Sequence, residues 1–274
     1  MSSFLLMIVL ILNCFAPEGA VHSKSEIKKK FQESNVEPIH KTISFENRNI
    51  HFVSTGDIDK NIILFIHGSP GSWDAFIDYL TEPALLKKFH MISYDRPGFG
   101  ESKQGGHEPS LPKQALVVKK ILDEFPQKNI HLVGHSYGGP VLVRLLADYP
   151  KKFSTGLILA GSIDPDLEKE EWIQTIGNFK VVRWILPSFL DNTNQEILAL
   201  KNELVELVPL YDSIHTPVTF YQGEKDTLVP KENAFFAKKM FKKAKFELFL
   251  EKDLNHFIPW NRKEKVISML LKLE

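Results

Sequence analysis

The chain carries eight short apolar stretches, each about as long as a β-strand. The first two alternate apolar and polar positions around a polar turn, which predicts an antiparallel hairpin. Later stretches include continuous apolar runs, as expected of parallel strands that are buried on both faces of a sheet. The predicted strands lie at residues 42–45, 50–53, 61–66, 89–94, 130–133, 156–160, 217–223 and 245–250.

Helical patterns occupy the segments between several of these strands. Apolar residues recur at helical spacing over residues 112–125, 141–149 and 232–243. Strands that alternate with helices in this way predict an α/β fold, in which a mostly parallel sheet of eight strands is flanked by helices.

Residues 162–214 interrupt this alternation after the sixth strand. They include a helical segment at 196–208 and show no clear strand. We therefore predict a small helical insertion at 162–214, between a first core part at 24–161 and a second core part at 215–274. Its aromatic side chains would serve equally well for packing against the core or for lining a pocket; they include Trp172, Phe179, Trp184 and Phe189.

Composition narrows the class of protein. The chain has 274 residues, of which 43% are hydrophobic and 25% charged, as is ordinary for a soluble globular domain with a large core. Lysine plus arginine and aspartate plus glutamate number 34 each, so the net charge does not indicate a nucleic-acid partner. We therefore predict no binding to nucleic acid.

The N-terminal segment differs from the rest of the chain. Residues 4–12 are an unbroken apolar run, too short for an ordinary membrane span and similar in length to the apolar region of a secretory signal. We therefore predict that residues 1–23 are a signal peptide and that the protein is exported to the periplasm, the medium or the cell envelope. The alternative is a buried N-terminal helix or strand in a cytoplasmic protein.

Cys14 is the only cysteine, and it lies just after this run. A mature domain that starts after Cys14 has no thiol with which to form a disulfide. The segment Ile11-Leu12-Asn13-Cys14 also resembles a bacterial lipobox, although Asn13 stands where a small residue is usual. By that resemblance Cys14 would be lipidated and would tether the protein to a membrane surface.

A candidate nucleophile lies between the fifth predicted strand and the helix that follows it. Gly134, Ser136 and Gly138 form a G-x-S-x-G pattern in this strand–turn–helix context. A serine on so sharp a turn has a strained backbone and an exposed hydroxyl, and the glycines avoid collisions across the turn. The helix N-terminus supplies free N–H groups and a positive dipole end, which would stabilise a developing oxyanion.

Three further motifs follow other predicted strands. They are H-G-S-P-G at residues 67–71, D-x-x-G-x-G-x-S at 95–102 and G-x-x-D-x-x-V-P at 223–230. Together with the serine motif they resemble the α/β-hydrolase superfamily, and the resemblance covers nearly everything from residue 42 onward. It implies the α/β-hydrolase fold, with the insertion at 162–214 forming a helical cap over the catalytic pocket.

The resemblance also implies a catalytic site. In this superfamily the nucleophile, the acid and the histidine follow one another in the chain, which makes them Ser136, Asp226 and His256 here. The backbone N–H groups of Ser69 and Tyr137 would form the oxyanion hole. These five positions are therefore the candidate site residues.

Neighbouring residues have alternative or structural roles. Glu224 and Asp164 remain open as the acid, because Glu224 adjoins the motif aspartate and some relatives place the acid after the preceding strand. His67 is expected to brace its loop rather than to take part in the chemistry. Asp95 and Arg96 are expected to fix backbone groups of a glycine-rich turn.

The implied reaction is hydrolysis by a serine nucleophile of a small-molecule ester or amide. Related epoxide hydrolases and haloalkane dehalogenases use aspartate at that position, so Ser136 argues against both activities. We predict hydrolysis of a small carboxylic ester through an acyl-enzyme; the motifs imply no metal and no cofactor. The alternatives are a carbon–carbon bond hydrolase, a non-catalytic binding protein on the same fold, and a proline iminopeptidase-like aminopeptidase.

The aminopeptidase alternative makes its own demand on the sequence. Its cap must hold a substrate ammonium with carboxylates, and the nominal candidates are Glu168, Glu170 and Glu171. A run of charges like this is more often a solvated helix face. We therefore rank ester hydrolysis above peptide hydrolysis.

Overall fold

The computed structural model describes residues 22–125, 129–168 and 187–273. Its strands are β1 Ile39–Phe45, β2 Arg48–Thr55, β3 Asn61–Ile66, β4 Phe89–Tyr94, β5 Ile130–His135, β6 Thr155–Leu159, β7 Val218–Gly223 and β8 Phe246–Glu251. They form one eight-stranded sheet in the order β1-β2-β4-β3-β5-β6-β7-β8. The pairs β1–β2 and β2–β4 are antiparallel, and all the others are parallel.

Helices follow most of the parallel strands. They are α1 Lys24–Glu33, α2 Ile77–Leu80, α3 Pro83–Leu86, α4 Leu111–Leu122, α5 Gly138–Asp148, α6 Ser188–Leu207, α7 Glu232–Met240, α8 Ile258–Asn261 and α9 Lys263–Leu270. Short 3-10 helices occur at Trp73–Phe76, Gly100–Ser102, Pro165–Leu167 and Val208–Ser213. Within the described ranges, no helix combines the length and the apolar composition that crossing a bilayer requires.

The sheet separates two apolar cores, one on each face. Successive side chains of a strand point to opposite faces, and β3 shows the division. Ile62 and Leu64 belong to the core covered by α4 to α7, whereas Ile63 and Phe65 belong to the core covered by α1 to α3, α8 and α9. Because both faces are covered, β3 is apolar and buried from Ile62 to Ile66.

Local sequence explains where several helices begin and end. The Ser23 hydroxyl accepts a hydrogen bond from the Glu26 N–H at 3.3 Å, and the Glu26 carboxylate accepts one from the Ser23 N–H at 2.7 Å. This capping box begins α1. Pro112 lies in the first turn of α4, where a missing N–H breaks no helical bond. Pro150 follows α5 and prevents its continuation.

All eight predicted strands are present, and the predicted fold class is confirmed. Strand β5 extends to His135, beyond the predicted end, because Gly134 and His135 continue to pair with Ile158 and Leu159 of β6. The largest difference is in α6, which begins at Ser188 rather than at residue 196.

The early start of α6 has a physical reason. Asn192 and Glu196 occupy buried positions on its inner face, where a periodic apolar pattern would have marked the helix. Only from Leu200 onward are the buried positions apolar. The predicted bounds of the cap, 162–214, stay a prediction.

Several predictions concern residues that lie outside the described ranges. They are the apolar run at 4–12, Cys14, Glu170, Glu171, Trp172, Phe179 and Trp184.

The parallel topology brings the predicted motifs to one edge of the sheet. In the register, Ile66 of β3 pairs with Gly134 of β5, and Gly223 of β7 pairs with Glu251 of β8. The loops that follow the carboxyl ends of these four strands therefore emerge at the same edge of the sheet, with β6 between β5 and β7. Ligand sites of open α/β sheets lie at this edge.

Candidate active site

Ser136 lies on the turn between β5 and α5 and has the strained backbone that the motif predicts. Its φ is +54°, in the left-handed region that non-glycine residues rarely adopt. The turn is too tight for side chains at the flanking positions. A Cβ at Gly138 would lie 2.2 Å from the carbonyl oxygen of Ile66, and one at Gly134 would lie 2.4 Å from that of Gly138. Ser136 is partly exposed, whereas the residues on either side of it are buried.

Asp226 and His256 are joined by a hydrogen bond. His256 Nδ1 lies 2.8 Å from Asp226 Oδ2, which also accepts a bond from Gln222 Nε2 at 3.1 Å. The other carboxylate oxygen, Oδ1, accepts the backbone N–H groups of Leu228 at 2.9 Å and Val229 at 2.8 Å. A carboxylate held in this way accepts a hydrogen bond from the Nδ1–H of the imidazole, which leaves Nε2 as the nitrogen that can accept a proton.

The two rival carboxylates have other partners. Glu224 forms an ion pair with Lys231 at 3.6 Å. Asp164 accepts the backbone N–H of Asp166 at 3.0 Å and caps the short 3-10 helix there. Asp226 is therefore the carboxylate that the structure brings to His256.

His135 connects the serine turn to the histidine loop, a role that sequence reasoning missed. Its Nε2 lies 3.0 Å from the carbonyl oxygen of His256, and the two rings are 4.8 Å apart between centroids. Burial, together with the neighbouring His256, lowers the pKa of His135 to about 3. A neutral His135 therefore donates from Nε2 and tethers the histidine loop to the residue before Ser136. Its place inside the G-x-S-x-G pattern was the available signal.

In the described part of the chain, no hydrogen bond joins the Ser136 hydroxyl to His256. Catalytic hydrogen bonds are often long or poorly aligned until substrate binds, so this geometry is compatible with the predicted pairing.

The loop after β3 lies directly against the serine. A Cβ at Gly68 would lie 3.0 Å from the Cβ of Ser136, so Ser69, the next residue, is held close to the nucleophile. His67 braces this loop as predicted, since its Nδ1 donates to the carbonyl oxygen of Gly68 at 2.7 Å and its Nε2 accepts the Arg96 N–H at 3.0 Å. Burial, and then the nearby Arg96, lowers the pKa of His67 well below its usual range, so the ring is neutral.

Comparisons with known proteins agree with the fold. A family model described as the α/β-hydrolase fold matches residues 61–195. The solved structure of an esterase from Exiguobacterium antarcticum superimposes with a TM-score of 0.66 at 17% identity, over 85% of this chain and 98% of that one. The chain belongs to the α/β-hydrolase superfamily.

Curated relatives of this α/β-hydrolase include different enzymes. Epoxide hydrolase 4 of Mus musculus is 29% identical over 103 residues, which are 37% of this chain and 28% of that protein. A proline iminopeptidase of Lactobacillus acidophilus is 28% identical over 108 residues, which are 38% of this chain and 37% of that protein. The matched region thus spans about a third of the length of these two relatives.

Asp95 of this α/β-hydrolase fixes backbone groups, as predicted. Its carboxylate accepts the N–H groups of Trp73 at 2.9 Å and Glu101 at 3.1 Å, and it contacts His51 Nδ1 at 2.7 Å. A Cβ at Gly100 would lie 2.1 Å from Oδ1 of Asp95, which accounts for the glycine in the motif. Asp95 therefore holds together the loops after β3 and β4.

Arg96 holds backbone as well, and it has a partner that sequence reasoning missed. Its Nε donates to the carbonyl oxygen of His67 at 3.1 Å, and its Nη2 donates to that of Gly68 at 3.0 Å. The guanidinium also pairs with Glu196 of α6, at 2.6 and 2.9 Å. A charged residue at Glu196, in the same register as the buried Leu200 and Leu204, was the only signal in the sequence.

Proposed function

We propose that this protein is a serine hydrolase that cleaves a small carboxylic ester through an acyl-enzyme intermediate. The observation that carries the proposal is the Asp226–His256 pair at 2.8 Å, tethered through His135 to the strained Ser136 turn. A free serine hydroxyl is a poor nucleophile, and an oriented histidine is what activates it. The Ser69 loop beside Ser136 would supply an oxyanion donor.

The reaction proceeds in two halves. In the first, Ser136 Oγ attacks the ester carbonyl carbon while His256 Nε2 takes the hydroxyl proton, and the carbonyl oxygen becomes an oxyanion. The carbon–oxygen bond to the leaving group then breaks, and the alcohol departs with the proton from His256.

In the second half, water gives a proton to His256 and attacks the acyl carbon. The carboxylic acid departs, and Ser136 recovers its proton from His256. The N–H groups of Ser69 and Tyr137 stabilise the oxyanion in both halves. Asp226 orients the imidazole and stabilises its charged form throughout.

The names of the relatives include enzymes that hydrolyse other bonds. Specific residues of this chain favour an ester as the substrate. An epoxide hydrolase of this superfamily would need aspartate where this chain has Ser136. An aminopeptidase would need carboxylates free to bind a substrate ammonium. Glu196 is occupied by Arg96, and Glu168 is bonded to the Ser162 hydroxyl while burial raises its pKa. The environments of these two carboxylates favour an uncharged ester over an amino-terminal substrate.

The test is hydrolysis of p-nitrophenyl esters from acetate to palmitate by the wild-type protein, Ser136→Ala and Ser213→Ala. Ser213 donates to the Leu210 carbonyl, so it controls for loss of a hydroxyl elsewhere. We expect turnover of the short esters that is lost in Ser136→Ala and retained in Ser213→Ala. Inactivity of the folded wild-type protein on every ester would contradict the proposal, and proline arylamides would then test the aminopeptidase.

We further propose that the protein is exported, with residues 1–23 as the signal. The apolar run at residues 4–12 supports this proposal. N-terminal sequencing of protein from fractionated cells tests it. Lipidated Cys14 at the new N-terminus would indicate a membrane tether, which Cys14→Ser would abolish. An intact N-terminus in the cytoplasm would contradict export.

A further inference from the structure

Arg96 and Glu196 form an ion pair that is completely buried between helix α6 and the loops after β3 and β4. Both side chains are fully inaccessible, and the contact is bidentate, with Nη1–Oε1 at 2.6 Å and Nη2–Oε2 at 2.9 Å. Removing two charges from water is costly, and apolar residues of similar volume often give an equally stable or more stable protein. Stability alone therefore does not explain this pair.

The remaining donors of Arg96 converge on the peptide group that carries a candidate oxyanion donor. Arg96 Nη2 donates to the carbonyl oxygen of Gly68, and the N–H of that same peptide unit belongs to Ser69. A peptide unit is planar, so fixing its carbonyl fixes the direction of its N–H. A charged donor on the carbonyl also polarises the unit and strengthens the N–H as a donor.

Glu196 holds the same loop directly. Its Oε2 accepts a hydrogen bond from the Ser69 hydroxyl at 2.6 Å. Gln114 completes the arrangement, since it accepts from Arg96 at 3.0 Å and donates to Glu196 at 3.2 Å. Ser69 is thus held through its side chain by Glu196, while the peptide unit that carries its N–H is held by Arg96.

The second candidate donor is in contact with the same pair. The guanidinium carbon of Arg96 lies 4.5 Å from the ring centroid of Tyr137 and 5.0 Å from that of Phe99. Cations stack favourably on aromatic faces at this range, most of all where water is excluded. One buried ion pair therefore touches both residues whose backbone N–H groups are the candidate oxyanion hole.

We propose that Glu196 is a positioning residue of the oxyanion hole. Through Arg96 and the Ser69 hydroxyl it sets the orientation of the Ser69 N–H, and because it stands on α6, that orientation depends on how the helix is seated on the core. The catalytic consequence rests on the proposed function. The ordering of the Ser69 loop by Glu196 does not depend on the proposed function.

The experiment compares Glu196→Gln and Glu196→Asp with Glu203→Gln as the matched control. The Gln side chain has the size of Glu but not its charge. The Asp side chain keeps the charge but is one methylene shorter. Glu203 stands on the same helix and accepts the Leu111 N–H at 2.7 Å, away from Ser69. The Asp variant keeps the test decisive if the Gln variant does not fold.

Two readouts are taken on each folded variant. The first is steady-state ester hydrolysis, in which we expect kcat to fall about 10- to 100-fold for Glu196→Gln with KM nearly unchanged; outright loss of an oxyanion donor lowers kcat about 10²- to 10³-fold. A smaller fall is expected for Glu196→Asp. The second is hydrogen–deuterium exchange, in which the peptide covering residues 67–72 should exchange faster, with β5 unchanged. Glu203→Gln should match the wild type in both.

Each outcome has a distinct meaning. Wild-type kcat in folded Glu196→Gln or Glu196→Asp would overturn the positioning role and leave ester hydrolysis standing. Absence of ester turnover in the wild-type protein itself would overturn the proposed function and the catalytic consequence with it. The exchange measurement does not depend on turnover, so unchanged exchange at residues 67–72 would overturn the proposal even in an inactive protein.

Discussion

The acid–histidine half of the candidate site consists of Asp226 and His256 with their contacts. It can be compared with the proposed oxyanion half, which consists of Ser69 and Tyr137 with theirs. Asp226 is held mainly by neutral donors within a few residues of it in the chain, two of them backbone N–H groups. The Ser69 loop is held by a buried charge pair whose members are separated by 100 residues. The first half joins the loops after the neighbouring strands β7 and β8, whereas the second requires the core and helix α6 together.

Substitutions in the two halves should therefore affect activity and stability differently. A local change should disable the acid–histidine half without affecting the fold, because backbone bonds remain in place. The oxyanion half should couple activity to stability, because a buried charge that loses its partner destabilises the folded state. The following predictions test that contrast, from the largest effect to the smallest.

The largest effect is expected in the acid–histidine half. Asp226→Asn should lower kcat about 10⁴-fold, because the amide favours the wrong imidazole tautomer while the geometry is preserved. Steady-state kinetics and thermal unfolding measure the two quantities. Asp164→Asn is the control and should retain activity. Loss of activity in the Asp164 variant instead would show that the acid has been assigned to the wrong residue.

The second prediction separates stability from positioning in the oxyanion half. Arg96→Met leaves the Glu196 carboxylate buried and unpaired, and should lower the free energy of unfolding by about 3–5 kcal/mol. The double variant Arg96→Met/Glu196→Leu should recover most of that loss, as measured by urea denaturation. Its kcat should stay low. A double variant that is both stable and fully active would remove the distinction between the two halves.

The third prediction concerns the His135 tether. The folded-state pKa of His135 is about 3 and its ordinary value is 6.5, so between these values the unfolded chain binds more protons than the folded one. His135 therefore stabilises the fold fully above pH 6.5 and progressively less as the pH falls. Its contribution should decrease by about 2 kcal/mol between pH 7 and pH 5.

Urea denaturation of wild type and His135→Gln at both pH values isolates this contribution. Gln retains an N–H donor for the His256 carbonyl and does not titrate, so the variant should lose about 2 kcal/mol less on acidification. Equal losses in the two proteins would show that His135 is not the group responsible.

The smallest effect is expected from Ser69→Ala. The backbone N–H remains, and the variant loses the hydroxyl contacts with Glu196 at 2.6 Å and Thr193 at 3.3 Å. We therefore expect kcat to fall about fivefold, the equivalent of about 1 kcal/mol. Glu196→Gln should have the larger effect, because it also disturbs Arg96. The reverse order would indicate that Glu196 acts through the Ser69 hydroxyl alone.

The same contrast explains what could be predicted from the sequence. The strands, the Ser136 turn and the pairing of Asp226 with His256 depend on short motifs at the ends of strands, and a parallel sheet brings such motifs to one edge. Local patterns sufficed for the strands and the Ser136 turn, because each is built from a few consecutive residues. Asp226 and His256, which are 30 residues apart, could be paired only through the order of motifs in the superfamily.

Contacts between distant segments could not be read in this way. Glu196 is a charged residue on a helix, and a solvated position is the ordinary expectation for it. Only the folded chain shows that Arg96, 100 residues earlier, neutralises it. Because the buried positions Asn192 and Glu196 are polar, the sequence pattern predicted too late a start for α6. His135 was hidden for a related reason, since its partner is a backbone carbonyl on another loop.

The polar inner face of α6 limits which segments can be exchanged between members of this family. Asn192 donates to the carbonyl oxygen of Gly98 at 2.6 Å, and Glu196 and Glu203 likewise bond to the core rather than to solvent. A chimaera that exchanges the predicted cap, residues 162–214, for the corresponding segment of another hydrolase would leave Arg96 without its counter-charge Glu196. The exchangeable unit is therefore discontinuous: it must carry Arg96 and Gln114 along with the cap, or the donor cap must supply its own buried carboxylate.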